Sequence, residues 1–100
     1  NQEPFGPLVP ILSFNSFDDV VKRANNNVLG LASYVYTNNL ERAHRVSELM
    51  ETGTVAVNTP VVALPEAPFG GIKQTGYGRE GGSMAIKDYL NIKYTHLGIQ

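Results

Sequence analysis

Pro68-Phe69-Gly70-Gly71-Ile72-Lys73-Gln74-Thr75-Gly76-Tyr77-Gly78-Arg79-Glu80-Gly81-Gly82 decides how the rest of the chain is read. Six of these fifteen residues are glycine, yet Phe69, Lys73, Tyr77, Arg79 and Glu80 stand among them. A flexible linker is rich in Gly and Ser and lacks large side chains. Repeated glycines instead permit positive φ and close backbone approach, at an entropic cost that some contact must offset. The stretch therefore reads as an ordered loop that passes close to other backbone or to a ligand and then enters a helix. A glycine-rich surface turn is the blander reading, and spacing alone leaves it open.

Working outward, residues 59–78 make a long loop punctuated by Pro60, Pro65 and Pro68, and loops of about 20 residues are usually functional in a compact domain. Before it, Thr54-Val55-Ala56-Val57-Asn58 predicts a short strand. Leu40, Ala43, Val46, Ser47 and Met50 carry the spacing of a helix capped from Asn38-Asn39 and ending near Gly53. Leu31-Ala32-Ser33-Tyr34-Val35-Tyr36-Thr37 is β-branched and aromatic enough for a strand. Ser16 caps an earlier helix, with Asp18 and Asp19 at the positive end of its dipole and Phe17, Val20, Val21 and Ala24 as its apolar stripe. Residues 8–14 read as a buried strand in which Pro10, lacking an N–H, imposes an edge position or a late start. After the glycine-rich stretch, a third helix is expected from Gly82 to Leu90 and a last strand from Ile92 to Ile99. The order predicts an α/β sheet with about four mostly parallel strands alternating with three helices. Four strands leave unpaired edges, which calls for further chain or another subunit alongside.

The totals fit one domain or part of a larger one: 100 residues, 42% hydrophobic, 17% charged and a net charge of −1. No basic face is built, which argues against a nucleic-acid partner. No apolar run approaches the roughly 20 residues of a membrane span. The absence of cysteine excludes a disulfide scaffold, a thiolate zinc site and a cysteine nucleophile within this chain. The chain opens at Asn1 as if a loop were entered midway, without a visible leader, and a cytoplasmic setting is the expectation.

Candidates for chemistry are few. His44 reads as part of a solvated helix face and His96, in the last expected strand, as an interface or surface residue. Glu41 and Arg45 form an i,i+4 pair worth about 0.3–0.5 kcal/mol on an exposed helix. Metal-ligand spacing is absent. Residues 76–81 match G-x-G-x-x-G by letter, but the phosphate-binding form follows a strand directly and precedes an acid by about 20 residues. A proline-bearing loop precedes this one, so the match reads as accidental. Glu3 lies in Glu3-Pro4-Phe5-Gly6-Pro7, where two prolines stiffen the backbone. A fixed carboxylate there could accept hydrogen bonds from two neighbouring hydroxyls, beside the flat face of Phe5. From pattern alone, a solvated acid is the better reading.

Several of these motifs, in this order, resemble the aldehyde dehydrogenase superfamily. They are Glu3-Pro4-Phe5-Gly6-Pro7, the Arg23-Ala24-Asn25 segment running to Thr37, Gly53-Thr54-Val55-Ala56-Val57-Asn58, and the glycine-rich stretch itself. Residues 86–94 look most like succinate-semialdehyde dehydrogenases. The resemblance implies that residues 1–100 are the C-terminal part of the catalytic domain, including a strand near subunit contacts. It implies an enzyme that oxidises an aldehyde, with succinate semialdehyde as the candidate, to a carboxylic acid with NAD or NADP through a cysteine thioester. In the family that cysteine and the water-activating glutamate lie upstream, so this segment alone is expected to be inactive. By the same resemblance Glu3 and Phe5 bind cofactor, and Ala63, Leu64 and Phe69 line the substrate site. Ala63 departs from the pattern: succinate-semialdehyde enzymes typically place a carboxylate-binding serine there, and a methyl group cannot donate a hydrogen bond. Arg79 and Glu80 are expected to lock the loop or a subunit contact, and a homo-oligomer (dimer or tetramer) is implied. The alternative is a non-enzymatic binding or assembly module that retains the fold.

Overall fold

The computed structural model describes residues 3–99. Helix α1 (Phe17–Asn25) starts as its cap dictates: the Ser16 hydroxyl accepts the Asp19 amide at 3.2 Å, with Asp18 and Asp19 in the first turn. Two short strands follow, β1 (Leu29–Gly30) and β2 (Ala32–Val35). Helix α2 (Leu40–Leu49) is capped by Asn39, whose side chain accepts the Arg42 amide at 2.8 Å, and it leads to β3 (Thr54–Val57).

β2, α2 and β3 form the central unit. The two strands are parallel, with Ala32 opposite Thr54 and Val35 opposite Val57, and α2 makes the crossover that parallel pairing requires. Asn58 extends the ladder with its side chain, accepting from the Thr37 amide and donating to the Thr37 carbonyl, both at 2.8 Å. It does so at φ 57, a left-handed conformation that asparagine tolerates. Among the described residues, Val46 of α2 and Ala56 of β3 are the buried apolar side chains, 6% and 5% exposed. The expected ion pair between Glu41 and Arg45 is replaced by a tertiary one. Arg45 reaches across to α1, stacking its guanidinium 4.5 Å from the Phe17 ring centroid and lying 3.6 Å from Asp18.

The glycine-rich stretch contributes β4 (Ile72–Lys73), antiparallel to β1 with Leu29 opposite Lys73. It also doubles back on itself, Phe69 and Glu80 exchanging backbone hydrogen bonds of 2.7 and 2.8 Å. Gly53 lies so close to the Gly70 carbonyl that a Cβ has no room there. An ordered loop pressed against other backbone is thus what forms.

Three expected elements are corrected. Residues 8–14 are not a strand: among the described residues they pair with nothing, and Arg23 donating to the Ser13 carbonyl at 2.9 Å ties down their end. The helix expected from residue 82 shrinks to a 3-10 turn, Ala85–Tyr89. Gly81 and Gly82 stand at φ 71 and 60, which no right-handed helix can include, and Met84 supplies no side-chain cap. Residues 92–99 run without a strand partner among the described residues, and Ile92, Tyr94 and Ile99 are exposed. Both failed strands lack a neighbour to complete their backbone hydrogen bonds, and a lone strand is not stable in water. The α/β class holds, with one parallel pair and one antiparallel pair in place of a mostly parallel four-stranded sheet.

Candidate functional site

Glu3 borders a groove of about 560 Å³ whose walls include Gly30, Ser33, Thr52, Gln74 and Thr75. The backbone at its rim is set by tight local turns, with Phe5 N–H donating to the Glu3 carbonyl at 3.0 Å and Leu8 N–H to the Gly6 carbonyl at 2.8 Å. Phe5 projects with 97% of its surface exposed, leaving its ring face open. Leu29, Leu31 and Met50 share the lining with these polar residues, whose hydroxyls are interlinked. Thr75 Oγ1 accepts the Gly30 amide at 2.8 Å, and the Ser33 and Thr52 hydroxyls share a hydrogen bond of 2.9 Å.

Leu64 and Phe69 stand elsewhere, along a folded-back loop. The segment around residue 65 turns back so that Ala67 N–H donates to the Leu64 carbonyl at 3.0 Å, and Gly82 N–H donates to the Pro65 carbonyl at 2.8 Å. Phe69 is fixed two residues earlier on the same return strand, through its pairing with Glu80. Residues 80–82 therefore hold Phe69 and Pro65, the residue after Leu64, and Ala63 beside Leu64 is exposed. The groove at Glu3 does not include Phe5, Ala63, Leu64 or Phe69 among its walls. Two clusters result: Glu3 and Phe5 at one rim, and residues 63–69 along the folded-back loop.

Lys73 is a residue whose importance spacing did not announce. Its Nζ lies 2.6 Å from Glu51 Oε2 and donates to the Asn25 and Asn27 carbonyls at 3.0 and 3.1 Å. Asn25 in turn donates to the Leu49 carbonyl at 2.7 Å and accepts the Glu51 amide at 2.9 Å. The end of α1, the end of α2 and the glycine-rich loop are thereby tied at one point, and Lys73 holds φ 57 to make the tie. A large charged side chain set among glycines, opposite a run of three asparagines, was the available signal. Residues 76–81 open no α-helix; they lead into the left-handed pair Gly81–Gly82, so the phosphate-loop reading has no helix N-terminus to use.

The aldehyde dehydrogenase family model matches residues 1–95, and the chain belongs to that family. It is 53% identical, over 98% of its length, to a 3-sulfolactaldehyde dehydrogenase of Pseudomonas putida. It is 47% identical, again over 98% of its length, to the NADP(+) succinate-semialdehyde dehydrogenase of Escherichia coli K12. It covers 20% of each of these relatives, so the chain spans about a fifth of their length. An NAD+ complex of an aldehyde dehydrogenase from Bacillus cereus superposes with a TM-score of 0.90 at 42% identity, over 99% of this chain and 20% of that one.

Proposed function

We propose that this chain forms part of the cofactor rim and one wall of the aldehyde funnel in an NAD(P)-dependent aldehyde dehydrogenase acting on small aldehydes that carry a second, anionic group. The observation that carries this reading is the pairing of an open Glu3–Phe5 rim with a separately braced 63–69 loop. The carboxylate of Glu3 can accept two hydrogen bonds from neighbouring hydroxyls, and the free face of Phe5 can cover a flat ring. These residues fit the nicotinamide-ribose end of the cofactor. When bound, that cofactor accepts a hydride from the substrate carbon. Glu3 then acts by orientation, since a misplacement of about 1 Å at a reacting centre can cost a factor of about 10². Phe69, Leu64 and Ala63 shape the apolar approach along which the aldehyde enters.

The substrate class is supported by relatives that act on 3-sulfolactaldehyde, succinate semialdehyde and glutarate semialdehyde. A buried carboxylate or sulfonate needs donors, and the Ala63 methyl supplies none. The preferred substrate therefore takes its anion contacts elsewhere in the full-length enzyme. The test is a panel of anionic and neutral aldehydes measured as kcat/KM with NAD and with NADP. Anionic aldehydes are expected to lead, and Ala63→Ser is expected to raise the relative kcat/KM of succinate semialdehyde. Equal rates across the panel would overturn the substrate class. A full-length protein that reduces neither cofactor with any aldehyde would favour the assembly-module alternative.

A further inference from the structure

We propose that Arg79, backed by Asp88, is a positioning residue that fixes the placement of Phe69 and thereby the enzyme's affinity for aldehyde. The inference rests on the reading of Phe69 as part of the aldehyde funnel. Phe69 is held by a single residue pair, its N–H and carbonyl bonded to Glu80 at 2.7 and 2.8 Å. A one-pair bridge between glycine-rich segments has little stiffness of its own, because Gly70, Gly71 and Gly78 offer no side chains to pack. Arg79 supplies the missing brace. Its Nη1 donates to the Gly71 carbonyl at 2.8 Å and to the Gly78 carbonyl at 2.6 Å, so one cation joins the outgoing and returning limbs of the loop.

Its stem completes the contact: a Cβ at Gly70, the residue after Phe69, would sit 2.8 Å from Arg79 Cδ. Asp88 anchors the brace from outside. Its Oδ2 accepts the Arg79 amide at 3.1 Å and lies 2.8 Å from where a Gly78 Cβ would stand. The 3-10 turn thus has a use: it carries Asp88 back to the loop. None of residues 69–71 or 78–80 walls the groove at Glu3, so the brace acts on the aldehyde side and not on the cofactor side.

The test is a set of steady-state measurements on the full-length enzyme, with Phe69→Ala, Arg79→Ala, Arg79→Lys, Asp88→Ala and the double variants with Phe69→Ala. Removing charge-assisted hydrogen bonds from the brace is expected to raise the aldehyde KM about tenfold in Arg79→Ala and about threefold in Asp88→Ala. The KM for NAD(P) should stay within about twofold, and Arg79→Lys should recover part of the loss. In the Phe69→Ala background the Arg79→Ala effect should vanish, because the residue it positions is gone. Additive effects in the double variant, or a cofactor KM that rises as much as the aldehyde KM, would overturn the inference while leaving the functional reading intact. An unchanged aldehyde KM in Phe69→Ala itself would overturn both. Should Arg79→Ala fail to assemble, the exposed Asp88 carries the same cycle.

Discussion

At the scale of single residues, the glycine-rich stretch shows what its composition could and could not announce. Gly53 illustrates a constraint visible only in three dimensions: its α-carbon faces the Gly70 carbonyl directly, and any side chain must push two backbone segments apart. Gly53→Ala should cost about 1–3 kcal/mol. It should lower the melting temperature of the full-length enzyme, whereas Gly98→Ala, with no atom within 4 Å of its Cβ position, should leave it unchanged. Equal melting temperatures for the two variants would show that the loop is not pressed against β3's entry as described. The expectation of close backbone approach came from the number of glycines, but not which backbone. That pairing depends on residues 17 positions apart and has no local signature. Lys73 is similar. Its three partners come from the ends of α1 and α2, and no spacing within residues 68–82 points to them.

At the scale of elements, what was legible was local. Ser16 with Asp18 and Asp19, and Asn39 ahead of an amphipathic run, are complete instructions within one helical turn, and both helices begin where those caps stand. Ser16→Ala should remove about 1 kcal/mol from the first turn of α1. Amide exchange there should accelerate about fivefold, with α2 unaffected; equal acceleration in both helices would assign the loss to something other than the cap. β2 and β3 were legible for a related reason, since β2 carries Tyr34 and Val35, β3 carries Thr54, Val55 and Val57, and α2 joins them. The segments 8–14 and 92–99 have strand composition but no partner among the described residues. Strand propensity is fit to a neighbour, and composition does not say whether the neighbour is present. The third helix failed because Gly82, read as its first residue, stands with Gly81 in a left-handed conformation that excludes one.

At the scale of the whole molecule, the surface is far too large for the mass. A folded chain of this size exposes about 5,600 Å², against 8658 Å² here, and its radius of gyration is 18.6 Å where a compact fold of this length has about 13 Å. Leu8, Val9, Ile11, Leu12, Leu97 and Ile99 are among the apolar side chains left uncovered. Such a surface is what relatives five times longer would cover with the rest of their chain. A polypeptide of only these 100 residues should bind a hydrophobic dye such as ANS, self-associate, and reduce no nicotinamide cofactor with any aldehyde. A monomer that excludes dye would contradict that expectation. The two clusters proposed for the site, legible from the sequence only through the family motifs, make the same point functionally: Glu3–Phe5 and residues 63–69 stand apart, and neither contains a cysteine.

The most direct test of these two clusters as parts of an aldehyde-oxidising site is single-turnover reduction of NAD(P) by the full-length enzyme, followed by the absorbance of the reduced nicotinamide. With Glu3→Gln, losing charged hydrogen bonds worth about 1.5–3 kcal/mol should slow the reduction at least about tenfold while the aldehyde KM is retained. Identical single-turnover rates in wild type and Glu3→Gln would contradict the placement of the cofactor at this rim.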